Sequence, residues 1–223
     1  LDLIFAIPGQ DEKRWTDDLH RAMSLNPDHL STYCLTFEED TAMFVKLSQG
    51  KVKIDRELEA HLYRRTWETL EDAGYAQYET SNFARAGHAC RHNLITWEMG
   101  AWIGYGPSAS SQWGARRWTN PSNLDQWIKG IEASQPVLEQ VKDLSPADLL
   151  CDALVFGLRL NAGVDPFALA ERFKTPLPQG VRDLFADLVE EDLMELAGTR
   201  FRLNGEGRLR ADAVGVAVLE KFD

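Results

Sequence analysis

The run Leu1-Asp2-Leu3-Ile4-Phe5-Ala6-Ile7, ended by Pro8-Gly9, is apolar at nearly every position. Strict alternation would mark a strand with one wet face, whereas a nearly continuous apolar run marks a parallel strand covered on both faces. Residues 11–25 follow with Trp15, Leu19, Ala22 and Met23 at helical spacing, and Asn26-Pro27 ends that helix. Residues 29–37, from His29 through Leu30, Thr32, Cys34 and Leu35 to Phe37, then read as a second strand. Strand, helix and strand at this length make a βαβ unit with a right-handed crossover. A leading buried strand cannot satisfy its backbone alone. The chain is therefore expected to be the later part of a larger protein. Its first two strands are expected to pair with strands that this chain lacks or with a second copy, as in a homodimer, or else to be poorly ordered.

Further along, Asp55 caps a long amphipathic helix through Leu58, Leu62, Thr66 and Leu70, and Gly74 stops it. Residues 75–80 form a third strand. Residues 81–120 are broken by glycines and rich in aromatics, which suggests short strands and functional loops, and Asn120-Pro121 opens a helix over 124–131. A boundary falls near Lys142. Beyond it Ser145-Pro146-Ala147-Asp148 has the form of a helix start, and Leu150, Ala153, Leu154, Gly157 and Leu158 keep helical spacing. Asp165-Pro166 starts a short second helix, and Val181, Leu184, Phe185 and Leu188 place a third. Two short strands around Gly198 and a closing helix over 205–222 complete the outline of a winged helix. The class is α/β, of the α+β kind, with residues 1–142 as one domain and 143–223 as a second, winged-helix-like one.

Charge narrows what such a chain binds. The 223 residues carry 24 Lys and Arg against 35 Asp and Glu, a net charge of −11. Nucleic acid and anionic membranes need a net basic face. Residues 145–223 hold nine Lys and Arg against fourteen Asp and Glu, so the winged-helix outline reads as a packing or protein-interaction module. No apolar run approaches the ~20 residues that span a bilayer, and no basic segment makes the first strand a signal peptide. Cys34, Cys90 and Cys151 are odd in number and far apart, which fits a reducing cytoplasm.

The segment Gly87-His88-Ala89-Cys90-Arg91-His92-Asn93-Leu94-Ile95-Thr96-Trp97 is the unusual one. On an extended backbone His88, Cys90 and His92 face one side, where a transition metal is one reading and a loop with a packed cysteine is the other. No fourth ligand stands at a familiar spacing, and no metal ligand is assigned. Gly104-x-Gly106 lets a backbone approach a ligand closely, but no clear helix follows, so it is not a dinucleotide fingerprint.

Several of these motifs share a relative. Residues 2–10 and 26–38 resemble the last two barrel strands of the oxygen-independent coproporphyrinogen III oxidase-like family (HemN/HemW type) of radical S-adenosylmethionine (radical SAM) proteins. Gly74-Tyr75-x-x-Tyr78-Glu79-x-Ser81-Asn82-Phe83-Ala84, Cys90-x-His92-Asn93-Leu94 and Gly104-x-Gly106-Pro107-x-Ala109 are similar to the same family in the same order. Residues 150–222 resemble its C-terminal domain, through Leu158-Arg159-Leu160, Gly163-Val164 and Gly207-Arg208-Leu209. His92-Asn93-x-x-x-Trp97 is similar to the HNxxYW signature of the heme-chaperone branch, with Thr96 where the branch has tyrosine.

The resemblance implies a partial (β/α) barrel with a short-stranded extension and a cytoplasmic parent that binds heme and delivers it to a heme-accepting protein. The alternatives are oxidative decarboxylation of coproporphyrinogen III and an interaction module without catalysis. It also implies S-adenosylmethionine and a [4Fe–4S] cluster in the parent. The family's CxxxCxxC cluster loop has no counterpart here, so this chain by itself is expected to do no radical chemistry, and no catalytic residue is assigned. By the same resemblance Asp2, expected at the carboxyl end of its strand, Thr36 and Ser110 contact S-adenosylmethionine. Residues 92–118 are expected to help hold a porphyrin, with His92 the candidate axial ligand. There Trp97, Trp102, Trp113 and Trp118 offer flat faces, and Arg116 and Arg117 offer partners for propionates.

Overall fold

In the computed structural model, which describes residues 1–222, the leading unit is the expected βαβ. β1 (Asp2–Phe5) is followed by α1 (Glu12–Ser24) and β2 (His29–Cys34), and the two strands pair in parallel from Asp2 opposite Ser31 to Phe5 opposite Cys34. Asp11 caps α1 by accepting from the Arg14 N–H, and Trp15, Leu19 and Ala22 form its buried side. After a short helix α2 (Ala42–Ser48), α3 (Arg56–Asp72) starts at the expected cap Asp55 and buries Leu62, Thr66 and Leu70. Thr66 joins the two long helices: its hydroxyl accepts from Trp15 Nε1 at 2.8 Å and donates to the Leu62 carbonyl at 2.7 Å.

β3 (Ala76–Glu79) and β4 (Asn82–Ala84) form a hairpin, and β4 pairs antiparallel with β2, giving the order β1-β2-β4-β3. This corrects the expectation that both leading strands need partners from outside the chain, because the far side of β2 is occupied by β4. The expectation of a first strand covered on both faces is corrected as well. Phe5 is buried against Trp15 and Tyr63, but Ile4, on the opposite face, is 55% exposed. The architecture is mixed α+β, and the described strands close no barrel.

The chain divides into two compact units, Leu1–Cys90 and Arg91–Asp223. The expected boundary at 142/143 falls within the second. That unit begins with α4 (Arg91–Trp97) and continues with β5 (Ser110–Trp113), β6 (Arg116–Thr119), α5 (Leu124–Glu132) and β7 (Glu139–Asp143). The three strands make an antiparallel sheet in the order β5-β6-β7. α6 (Pro146–Gly157) opens on a reciprocal cap, in which Ser145 and Asp148 each bond the other's backbone N–H. α7 (Pro166–Arg172), α8 (Gln179–Glu190) and the hairpin of β8 (Met194–Ala197) and β9 (Arg200–Leu203) follow. The expected closing helix is two: α9 (Gly205–Arg208) and α10 (Ala211–Leu219). Leu150, Leu154, Val181, Phe185 and Val218 centre the core of these helices. Val164 adds a bridge to Phe201, and Gly163 beside it takes φ +64° where a Cβ would meet the Phe201 carbonyl at 2.1 Å.

Candidate functional site

Helix α4 carries His92, Asn93 and Trp97 and is gripped at its C-terminal end. The Trp97 ring meets Phe156 of α6 edge-on, with centroids 5.7 Å apart, and the Arg159 guanidinium lies 5.1 Å from its centroid. Arg172, the last residue of α7, donates to the carbonyls of Glu98 at 2.9 Å and Met99 at 3.0 Å. Those carbonyls lie just past the helix end, where no intrahelical donor reaches and the dipole favours a cation. At the other end His92 is exposed, and its imidazole has no hydrogen-bond or ion-pair partner among the described residues. Thr96 lies one turn on, with its hydroxyl donating to the His92 carbonyl at 2.9 Å.

The start of this helix at Arg91 overturns the extended reading of residues 88–92. His88 lies in the preceding loop, 3.7 Å from the Asp28 carboxylate, and the Cys90 N–H donates to Tyr78 Oη at 3.3 Å. Among the described residues no three His, Cys, Asp or Glu side chains are grouped to hold a metal ion.

A cavity of about 440 Å³ opens beside α4 within the second unit. Ile95 and Trp97 of α4 face Leu160, Val164 and Leu169 across it, and the guanidiniums of Arg172 and Arg200 border it. Arg200 donates to the carbonyls of Ala162, at 2.9 Å, and Gly163. A second cavity, of about 280 Å³, is mostly apolar and is lined by Trp118 of β6, Trp127 of α5 and Tyr105.

The four tryptophans of residues 92–118 therefore serve different places. Trp97 packs on α6. Trp102 bridges the backbone of Gln112, Trp113 is 64% exposed, and Trp118 lines the smaller cavity. Arg117, a candidate partner for propionates, is already held by the Gln112 side chain and by Asp152, the latter at 2.8 Å. Arg116 is exposed. The close approach that Gly104 permits is to the chain itself: a Cβ there would meet the Ser110 carbonyl at 2.4 Å, and Asn120 Nδ2 bonds the carbonyls of Gly104 and Gly106.

Comparison with known proteins gives these features a common setting. Residues 144–210 match the HemN C-terminal domain. A "Heme chaperone HemW" of Mycobacterium tuberculosis is 31% identical over 215 residues, 96% of this chain and 53% of the relative. The "Radical S-adenosyl methionine domain-containing protein 1, mitochondrial" of Danio rerio is 30% identical over 232 residues, 100% of this chain and 51% of the relative. The solved structure of coproporphyrinogen III oxidase (HemN) from Escherichia coli superposes with a TM-score of 0.75 at 19% identity, over 97% of this chain and 54% of that one. The chain belongs to the HemN/HemW-type radical SAM family. It spans about half the length of the relatives it matches.

In this chain the Tyr78-Glu79-x-Ser81-Asn82 motif is a turn lock. Glu79 is buried, and its Oε1 accepts from the Ser81 N–H at 3.0 Å and from the Asn82 side-chain amide, fixing the β3–β4 hairpin that pairs with β2. Of the three residues tied by resemblance to S-adenosylmethionine, Asp2 and Thr36 belong to the first unit and Ser110 to the second. Asp2 opens β1 at its amino end, correcting the expected carboxyl end, because the strand begins there and pairs onward to Phe5. Thr36 lies two residues past the carboxyl end of β2, and Ser110 opens β5 in the other unit, its hydroxyl 3.5 Å from the Trp118 carbonyl. The family's iron–sulfur cluster does not fit the cysteines present. Cys34 sits on β2 with its thiol pushed up to about 11 by burial, Cys90 follows a loop, and Cys151 is buried on α6. The reading of the sequence missed the partners that grip α4. Phe156 and Arg172 lie far from His92 along the chain, and only the Leu158-Arg159-Leu160 family match hinted at one of them, Arg159.

Proposed function

We propose that the protein binds heme and passes it to acceptor proteins, with His92 as an axial ligand to the iron. The observation that carries this is the exposed, unpartnered His92 on a helix whose other end is fixed by Trp97, Arg159 and Arg172. A neutral imidazole is a common ligand of heme iron, and a ligand on an anchored helix loses little freedom on binding. Relatives bearing the name heme chaperone align over 96% and 98% of this chain, at 31% and 29% identity. The fold alone, shared with an oxidase, favours neither chemistry.

Residues 143–223 serve in this reading as the domain that braces α4, in keeping with the domain match at 144–210. Of the three positions tied to S-adenosylmethionine, Thr36 is the best placed, since ligands of α/β sheets gather beyond the carboxyl ends of the strands. The acidic balance argues against nucleic acid as a partner. Among the described residues no helix is long and apolar enough to cross a membrane; from the family resemblance we place the protein in the cytoplasm, although the relatives from Danio rerio, Mus musculus and Bos taurus are mitochondrial by name.

The test is titration of hemin into the chain and into His92→Ala. The expected outcome is a shifted Soret band in the wild type and a changed band with affinity lower by about tenfold, some 1.4 kcal/mol, in the variant. Identical bands and affinities would remove His92 from the ligand role.

A further inference from the structure

We infer that the cavity beside α4 is a site for the carboxylate-bearing side of a tetrapyrrole, with Arg172 and Arg200 as its carboxylate partners. The inference rests on the heme reading and adds to it a second set of contacts, away from the iron. The cavity's volume of about 440 Å³ lies within the ~300–1,000 Å³ usual for small-molecule sites, which combine apolar walls with a few placed polar groups. Ile95, Trp97, Leu160, Val164 and Leu169 supply such walls.

Both guanidiniums are bonded to backbone carbonyls, not to carboxylates, and neither makes an ion pair among the described residues. Their positions are thus fixed without an ion pair, and the Arg200 charge also acts on Asp165, where, after the backbone and Thr199 hydrogen bonds, it helps hold the carboxyl below its usual range. A planar guanidinium matches a carboxylate's geometry, and a pre-positioned one costs little further ordering when it pairs. Two acids also border the cavity. Asp165 accepts from the Phe167 and Ala168 N–H groups as the cap of α7, and Glu98 is exposed. An apolar body bearing carboxylates satisfies both features of the cavity, and a porphyrin with two propionates is that kind of molecule. The position suits the heme reading: Ile95 lines the cavity and lies three residues after His92, on the same side of α4.

The experiment uses metal-free protoporphyrin, which has no iron for His92, its dimethyl ester, which has no free carboxylate, and hemin. Each is titrated into the chain and into Ala168→Trp. Ala168 is an exposed residue of α7 at the cavity's border, so the indole fills the mouth without disturbing the Arg172 bonds to α4. The proposal expects the free acid to bind at least about tenfold more tightly than the ester, the usual scale of one charge-assisted hydrogen bond. It also expects Ala168→Trp to weaken the free acid by at least as much, with an unchanged melting temperature. Arg200→Gln should shrink the preference for acid over ester. Equal binding of acid and ester, or of wild type and Ala168→Trp, overturns the cavity assignment. If hemin still shifts its Soret band in that case, the heme reading stands without it. If no porphyrin binds at all, both fall.

Discussion

His29 shows how a single side chain ties the first unit to pH. It opens β2, is partly buried, and its Nε2 lies 2.9 Å from Tyr78 Oη. Burial holds its pKa below the ordinary 6.5. The folded state therefore binds fewer protons at this ring than the unfolded state does, so stability rises with pH through this window. The contribution is complete above 6.5 and is lost as pH falls below it toward the folded value. Urea unfolding of the first unit at pH 7.5 and pH 5.0 should show the wild type losing more stability than His29→Gln across that interval. Equal losses in the two proteins would mean that the imidazole is not the group responsible.

At the scale of elements, the grip on α4 sets the next expectation. A seven-residue helix gains little from its own hydrogen bonds, and packing must hold it. Trp97 contributes to that packing through Phe156 and Arg159. Trp97→Ala should cost about 3 kcal/mol, within the range for removing a large aromatic, and should weaken hemin binding without touching His92. Trp97→Phe, which keeps a ring against Phe156, should restore most of both. Hemin affinity unchanged in Trp97→Ala would separate the helix's anchoring from its ligand role. How far elements were legible in the sequence follows the same physics. Asp55, Ser145 and Asp165 announced their helices because capping is local chemistry written in adjacent residues. β7 (Glu139–Asp143) escaped notice because all five residues are exposed and carry no apolar alternation. The antiparallel pairing of β4 with β2 was hidden too, since register between distant segments leaves no local mark. At the site, His92 and Trp97 were legible through their family motif. The cavity was not, because Ile95, Leu160 and Arg200 meet only after folding.

For the whole molecule, β1 is the unresolved demand. It stands at one edge of the order β1-β2-β4-β3, so one row of its backbone N–H and C=O groups has no partner strand among the described residues. Leu1, Ile4 and Ile7 around it are about half exposed. An open edge with apolar side chains invites pairing with another strand, and natural edges are usually blunted by charge, proline or a cover. The net charge of −11 works against that pairing by repulsion between copies. Repulsion between exposed charges is screened within ~10 Å at 0.1 M salt and within ~3 Å at 1 M, whereas the edge's attraction is short-ranged and survives. Self-association of the isolated chain should therefore rise with ionic strength, the reverse of an assembly held by surface ion pairs. Ile4→Lys, which places a charge on the exposed face of the edge, should suppress it. Sedimentation velocity across salt and protein concentration reads both effects. A chain that stays monomeric in high salt, with Ile4→Lys indistinguishable from wild type, would show that the edge of β1 needs no partner.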